Sequence, residues 1–296
     1  MKLKKMLSKR QSVLISWLVS YFIVLSIPII VNVFVFYNSV RMVEKEVNSS
    51  NIALLTQLQR IIDDQTHQIE NLCLQINWNA QVKRLIDFEG KFYISEHYAA
   101  YQILNDFKAY ITNNFLESFY IYLKKSNIIM GNTFISDIDL AYEAMHKSDN
   151  ITFDEWKKLI SEKHSLEFIP LIRKDLNGKP GNIIVFAQTL PMEHPGNISA
   201  NIFITLNPKP LDDFVKEIPW ISRGGILIFD KHNKIIYSDK LKGYNQWLQD
   251  DEIQIPGGIS YSVINGEKVV ISCVTSAYTG IKYVSILPFS IFTEKV

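Results

Sequence analysis

Histidines, acid pairs and cysteines are the groups of this 296-residue chain with the most chemical reach. The six histidines, His67, His97, His146, His164, His194 and His232, are scattered, and no two have the spacing of a metal site. His67 falls in a helical pattern, where a packed or surface histidine is the expectation. Asp63-Asp64 and Asp212-Asp213 are pairs that acid–base chemistry could use, but no His or Lys adjoins either one. Both read more simply as solvated helix positions, and Asp250-Asp251-Glu252 as a surface charge run. No GxGxxG, GxxxxGK(S/T) or GxSxG pattern occurs. Cys73 and Cys273 lie far apart and describe neither a disulfide framework nor a metal site. Asn150-Ile151-Thr152 and Asn197-Ile198-Ser199 match the glycosylation triplet, a pattern that also arises by chance. The expectation is therefore no catalytic residue, no metal, no cofactor and no enzyme activity.

Binding fits the residues better. An antiparallel sheet with helices over one face makes a concave pocket lined by aromatics and a few polar groups. Alternation along Ser118–Lys124 puts Tyr120 and Tyr122 on one face, and Phe119, Ile121 and Leu123 on the other. Phe186 and Gln188 share a face of a later strand, Arg173 ends another, and Tyr101 sits on the preceding helix. These six are the candidate ligand contacts. The alternative is that the tyrosines cap a filled core.

What positions them begins at the N-terminus. Gln11 to Val40 carries no charge, and within it Val13–Tyr37 is dominated by aliphatic and aromatic residues. A bilayer crossing takes about 20 apolar residues, and this run exceeds that. It also exceeds the core of a cleaved signal peptide, about 7–15 residues, and no small-residue cleavage site follows it. Trp17 and Tyr21 near one end and Tyr37 at the other suit the two interfaces. Lys2, Lys4, Lys5, Lys9 and Arg10 precede the run with no acid among the first 40 residues, which predicts a cytoplasmic N-terminus and an exterior body. Lys and Arg total 31 against 30 Asp and Glu, which excludes a strongly basic nucleic-acid binder.

Residues 38–78 contain no Pro or Gly, and Leu55, Ile62, Ile69 and Ile76 recur at sevens, with Leu58 and Leu72 on the same side. The pattern predicts a stalk helix of about 60 Å, with Asn48-Ser49-Ser50-Asn51 as a weak point. Its stripe (Leu55, Leu58, Ile62, Ile69, Leu72) suits a dimer contact or a core helix equally. Further on, helices are expected over 96–112, 136–148, 153–161, 211–218 and 244–252. Strands are expected over 118–124, 127–131, 166–173, 182–190, 200–206, 225–230, 235–238, 260–264, 269–274 and 281–287. Asn177-Gly178 and Asn265-Gly266 read as hairpin turns. The fold class is α+β: a transmembrane helix over 13–37 after a basic end (1–12), a stalk over 38–78, and two tandem antiparallel-sheet units over 79–218 and 219–290.

The stretches SWLVSYFIVLSIPIIVNVFVFY, VEKEVNSSNIALLTQLQRIID, FYIYLKKSNIIM, FDEWKKLISEKH, FDKHNKIIYS and IKYVSILPFSIFTEKV carry a resemblance. The chain resembles the sensory half of Gram-positive membrane-anchored AraC-type helix-turn-helix transcription regulators. In these the extracellular part is a double Cache domain of tandem PAS-like units. YesM-type sensor histidine kinases carry similar halves. The resemblance implies that 79–218 is the membrane-distal and 219–290 the membrane-proximal Cache unit. It also implies that 291–296 begins the connection to a second membrane helix and a cytoplasmic output domain. Tyr283–Thr293 is uncharged but too short to span, so the chain is expected to be a piece, with DNA bound only through an output domain outside it. The Tyr/Arg/Trp/Tyr/Asp pattern of amino-acid-binding Cache variants is not found, which leaves a sugar or peptide-like ligand, or a solute-binding protein, as the expected partner. A homodimer in the plasma membrane is expected. The competing readings are an anchored interaction module without a small ligand, and a surface enzyme whose catalytic groups are not visible.

Overall fold

In the computed structural model, a helix of 77 residues, α1 (Lys2–Trp78), runs from the basic end through the apolar run and the stalk without a break. The structure describes residues 2–111, 115–147, 149–174, 180–193, 196, 198–218, 223–239 and 257–293. The expected helix over 244–252, the Asn177-Gly178 turn and the 250–252 charge run lie outside these residues. Pro28 stands inside α1, a place where helices that cross membranes tolerate a missing N–H. By length and composition α1 can cross a membrane. Over the described residues 17–37 its apolar side chains stay uncovered: Leu18, Phe22 and Phe34 are 70%, 71% and 68% exposed.

Asn79 ends α1 and starts α2 (Ala80–Asp87). Its Oδ1 accepts the N–H groups of Gln81 and Val82 at 2.9 and 3.1 Å, satisfying two donors that the first helical turn would otherwise leave open. Helix α3 (Ile94–Ile111) follows.

The first sheet has six antiparallel strands: β1 (Leu116–Leu123), β2 (Ile128–Gly131), β3 (Phe134–Asp137), β4 (Glu167–Lys174), β5 (Pro180–Leu190) and β6 (Ala200–Leu206). Their spatial order is β3-β2-β1-β6-β5-β4. Strand β3 and the helix α4 (Ile138–Met145) replace the single helix expected from Ser136. The polar stretch before Ile138 pairs with β2 (Ile129↔Ser136), and Asp137 then caps α4 by accepting Leu140 N–H at 3.0 Å. Helix α5 (Phe153–Ser161) opens on a full capping box between Thr152 and Glu155.

One face of this sheet packs Phe119, Ile121 and Leu123 against Ile69, Leu72 and Ile76 of α1, together with α2 and α3. The other packs Tyr120, Tyr122, Val185 and Phe203 against α4 and α5.

Helix α6 (Lys209–Lys216) leads to the second sheet, of strands β7 (Gly225–Phe229), β8 (Ile235–Asp239), β9 (Gly258–Ile264), β10 (Glu267–Thr275) and β11 (Lys282–Pro288). It is antiparallel in the order β8-β7-β11-β10-β9. Asn265 and Gly266 both have positive φ, 51° and 81°, as a two-residue hairpin turn requires. Leu55 and Leu58 of α1, Leu211 and Val215 of α6, and Ile226, Ile228 and Tyr283 share one core. The edge strands β4 and β8 approach each other, so the two sheets abut. Past β11, α7 (Ser290–Thr293) returns Ile291 to pack with Val47 of α1.

Candidate functional site

Burial decides which of the expected contacts could meet a ligand. On the far face of the first sheet, Tyr120 stacks on Phe203 with centroids 4.9 Å apart and lies 6.4 Å from the Trp156 ring, all three fully buried. Trp156 Nε1–H donates to the Tyr120 hydroxyl at 3.1 Å. That hydroxyl lies 3.4 Å from His146 Nε2, and His146 Nδ1 lies 2.8 Å from Asp149 Oδ2. Arg173 Nε donates to Asp149 Oδ1 at 2.8 Å, and its terminal nitrogen donates to Glu117 at 2.9 Å.

The polar contacts follow one another without a gap, from Trp156 through Tyr120, His146 and Asp149 to Arg173. Burial pushes the Tyr120 hydroxyl up. Burial also pushes the Asp149 carboxyl up, but the bonds from His146 and Arg173 outweigh it and hold that carboxyl below its ordinary range. Tyr122 completes the layer, its hydroxyl donating to Asn127 at 3.2 Å. Tyr120, Tyr122 and Arg173 are thus together, inside a packed and satisfied network.

The other three expected contacts lie elsewhere. Tyr101 is 56% exposed on α3. Phe186 and Gln188 face the opposite side of the sheet, toward the place where the two sheets and α1 meet. There a cavity of about 490 Å³ opens, with Phe186, Phe168, Leu166 and Ile281 as its apolar lining, a volume suited to a small ligand.

Three turns and α1 supply the polar walls. The 163–167 turn brings Lys163, Ser165 and Glu167. It is clamped from behind: Thr189 Oγ1 accepts His164 N–H at 2.8 Å, Gln188 Oε1 accepts Leu166 N–H at 3.1 Å, and the two nitrogens of His164 meet Glu167 and the Leu159 carbonyl at 2.9 and 2.8 Å. Leu166 has φ +48°, a left-handed backbone that costs a side-chain-bearing residue about 1–2 kcal/mol. The other positive-φ residues besides glycine, among the described residues, are all Asn. Gln188 therefore acts on the cavity as a support of its wall.

The 230–233 turn brings Lys231 and His232, with Asp230 Oδ1 accepting the N–H groups of His232 and Lys234 at 2.8 Å each. The 276–281 turn brings Tyr278 and Thr279, and α1 brings Thr66 and Glu70.

The 276–281 turn is tied to α1. Asp63 accepts Ser276 Oγ–H at 2.9 Å, His67 stacks on Tyr278 at 4.0 Å, and the Tyr278 hydroxyl donates to Glu70. Burial and the acids Glu70 and Asp63 push that hydroxyl up to about 12. Farther down, Asn51, 2% exposed, donates to Ser272 and Ser285 at 2.9 and 2.5 Å. Within the Asn48–Asn51 stretch, expected as a weak point, Asn51 instead docks the helix, because its buried amide donates to two buried hydroxyls. Leu55, Leu58, Ile69 and Leu72 are each 1% exposed within this chain's own cores, with Ile62 packed at their margin. The stripe offered as a dimer contact is therefore covered by the sheets.

Trp156, His146 and Asp149 were not singled out as site residues. The His146–Asp149 spacing of three beside a capped helix was their only trace in the sequence. Lys163, Lys231 and Tyr278, drawn from three distant turns, left none.

No protein-family model matches the chain, and no curated protein matches it. Solved structures do match. The ligand-binding domain of Mlp24 with asparagine aligns with a TM-score of 0.54 and 11% identity, over 87% of this chain and 98% of that one. The ligand-binding domain of the amino acid chemoreceptor PctC of Pseudomonas aeruginosa PAO1, in complex with GABA, aligns with a TM-score of 0.53 and 12% identity, over 82% and 99%. An extracellular domain assigned to the histidine kinase soHK1S-Z6 aligns with a TM-score of 0.51 and 13% identity, over 86% and 98%. At such identities the likeness is one of fold. A long N-terminal helix followed by two antiparallel sheets matches the Cache, PAS-like fold.

Proposed function

We propose that this chain is the extracellular ligand-sensing half of a transmembrane signalling protein. The observation that carries the reading is α1. One uninterrupted helix presents a bare apolar surface over 17–37, is then bonded to the second sheet through Asn51 and Asp63, and is packed on the first through Ile69, Leu72 and Ile76. A ligand that distinguishes two arrangements of the sheets shifts such a helix, and one that binds both equally does not. The 79–218 unit is then membrane-distal and the 219–290 unit membrane-proximal, with the N-terminus cytoplasmic, as Lys2 to Arg10 favour. The output is that of an AraC-type transcription regulator, supported by the sequence resemblance. The sensor half of a histidine kinase is the second reading, favoured by the fold shared with a domain assigned to such a kinase. An anchored interaction module is favoured by the filled far face of the first sheet.

Thermal unfolding of the chain in lipid nanodiscs, with amino acids, sugars, peptides, organic acids and solute-binding proteins added in turn, tests the sensing role. A midpoint raised by one of these classes is expected, since a ligand of the folded state stabilises by mass action. No shift with any class overturns the reading and leaves the interaction module. Protease treatment of intact cells tests the orientation, with cleavage beyond Tyr37 expected.

A further inference from the structure

The charges around the junction cavity are unevenly engaged. Its three acids have partners: Glu70 accepts from Tyr278, Glu167 faces His164 Nδ1 at 2.9 Å, and Asp230 accepts two backbone N–H groups. Lys163, Lys231 and the His232 ring have no hydrogen bond or ion pair to any described residue. Beneath them Phe168 and Phe186 meet edge to face at 5.4 Å, with Leu166 and Ile281 beside them. Cations at a rim above an aromatic floor favour an anion with an apolar body. The strained Leu166 backbone, held by Gln188, keeps one wall in place (φ +48°); backbone strain of this kind concentrates at functional sites.

We propose that the junction cavity binds a small organic carboxylate with an apolar or aromatic body. Its carboxylate lies between Lys163 of the first sheet's turn and Lys231 of the second sheet's turn, and its body rests on Phe168 and Phe186. The ligand ties the two sheets together beside Glu70 and Tyr278 of the α1 contact, and so acts on their relative placement. This rests on the sensing role proposed above and gives it a site and a ligand class.

The test uses the full chain in lipid nanodiscs and isothermal titration with benzoate, phenylacetate, indole-3-acetate and 4-methylpentanoate, each paired with its primary amide. At least one acid is expected to bind, with its amide at least tenfold weaker. The double variant Lys163→Gln, Lys231→Gln, in which both changes are on exposed side chains, is expected to bind that acid at least tenfold more weakly with an unchanged unfolding midpoint in the absence of ligand. The proposal is overturned if none of the four acids binds, if an amide binds as well as its acid, or if the double variant binds as tightly as the parent. A sugar, peptide or solute-binding protein that stabilises parent and double variant alike would remove this site and keep the sensing role. Silence to every class removes both.

Discussion

The far face of the first sheet and the junction between the sheets use the same chemistry to opposite ends. Both hold aromatics, acids and cations. On the far face each polar group finds a partner across the layer, from Trp156 through Tyr120, His146 and Asp149 to Arg173 and Glu117. At the junction the acids are engaged while Lys163 and Lys231 line an opening of about 490 Å³. A cluster of tyrosines and an arginine is thus no guide to a binding site until the polar bonds are followed to their ends. The satisfied cluster is architecture, and the unbalanced one has capacity to spare.

The largest effect that separates the two regions is expected from Trp156→Ala. Removing a fully buried indole should cost about 3–5 kcal/mol, read as a lowered midpoint in chemical denaturation. A change below 1 kcal/mol would mean the far face is not the packed layer described. Asp149→Asn comes next, at about 1.5–3 kcal/mol for bonds to a charged group, and it carries a pH signature. The folded Asp149 carboxyl titrates below its unfolded value. Its stabilisation is therefore complete above that unfolded value, about pH 4, and fades as the pH falls through it toward the folded one. Denaturation midpoints measured from pH 7 down to pH 3 should fall more steeply for the parent than for the variant.

Asn51→Ala sharpens the contrast on the helix side. It leaves two buried hydroxyls without their donor, a loss of about 1–3 kcal/mol. Hydrogen exchange should rise in β10 and β11 while the first sheet keeps its protection. Tyr101→Ala, at an exposed position, should change stability by no more than about 0.5 kcal/mol. A larger loss in the same assay would show that α3 has an unrecognised contact.

Local patterns were readable from the sequence wherever a short stretch sufficed. Helix α5 and strand β6 fall where propensity, the Thr152 cap and alternation placed them. The unbroken stalk follows from the lack of Gly and Pro. Helix α2 was missed because eight residues with three buried apolar positions give too short a period to see. β3 was missed because a four-residue edge strand is defined by its partner rather than by its own residues.

The sites needed more than alternation. Pairing β1 with β6 and β5 with β6 fixes which face Tyr120 and Phe186 take, but Tyr120, Asp149 and Arg173 meet only after three segments fold together. The same holds for Lys163 and Lys231, which come from turns of different sheets. The stalk stripe was ambiguous for another reason: burial against a sheet and burial against a second helix select the same residues at the same spacing.

Ile291 packs on α1 with Val47, Val270 and Leu287, with Val43 at the margin. The polypeptide thus leaves its last strand next to the point where α1 emerges from the apolar run, a few helical turns past Tyr37. The two ends of the folded body are therefore held side by side by a handful of aliphatic side chains, so shortening Val47 or Ile291 would loosen the start of the stalk and the end of the last strand together.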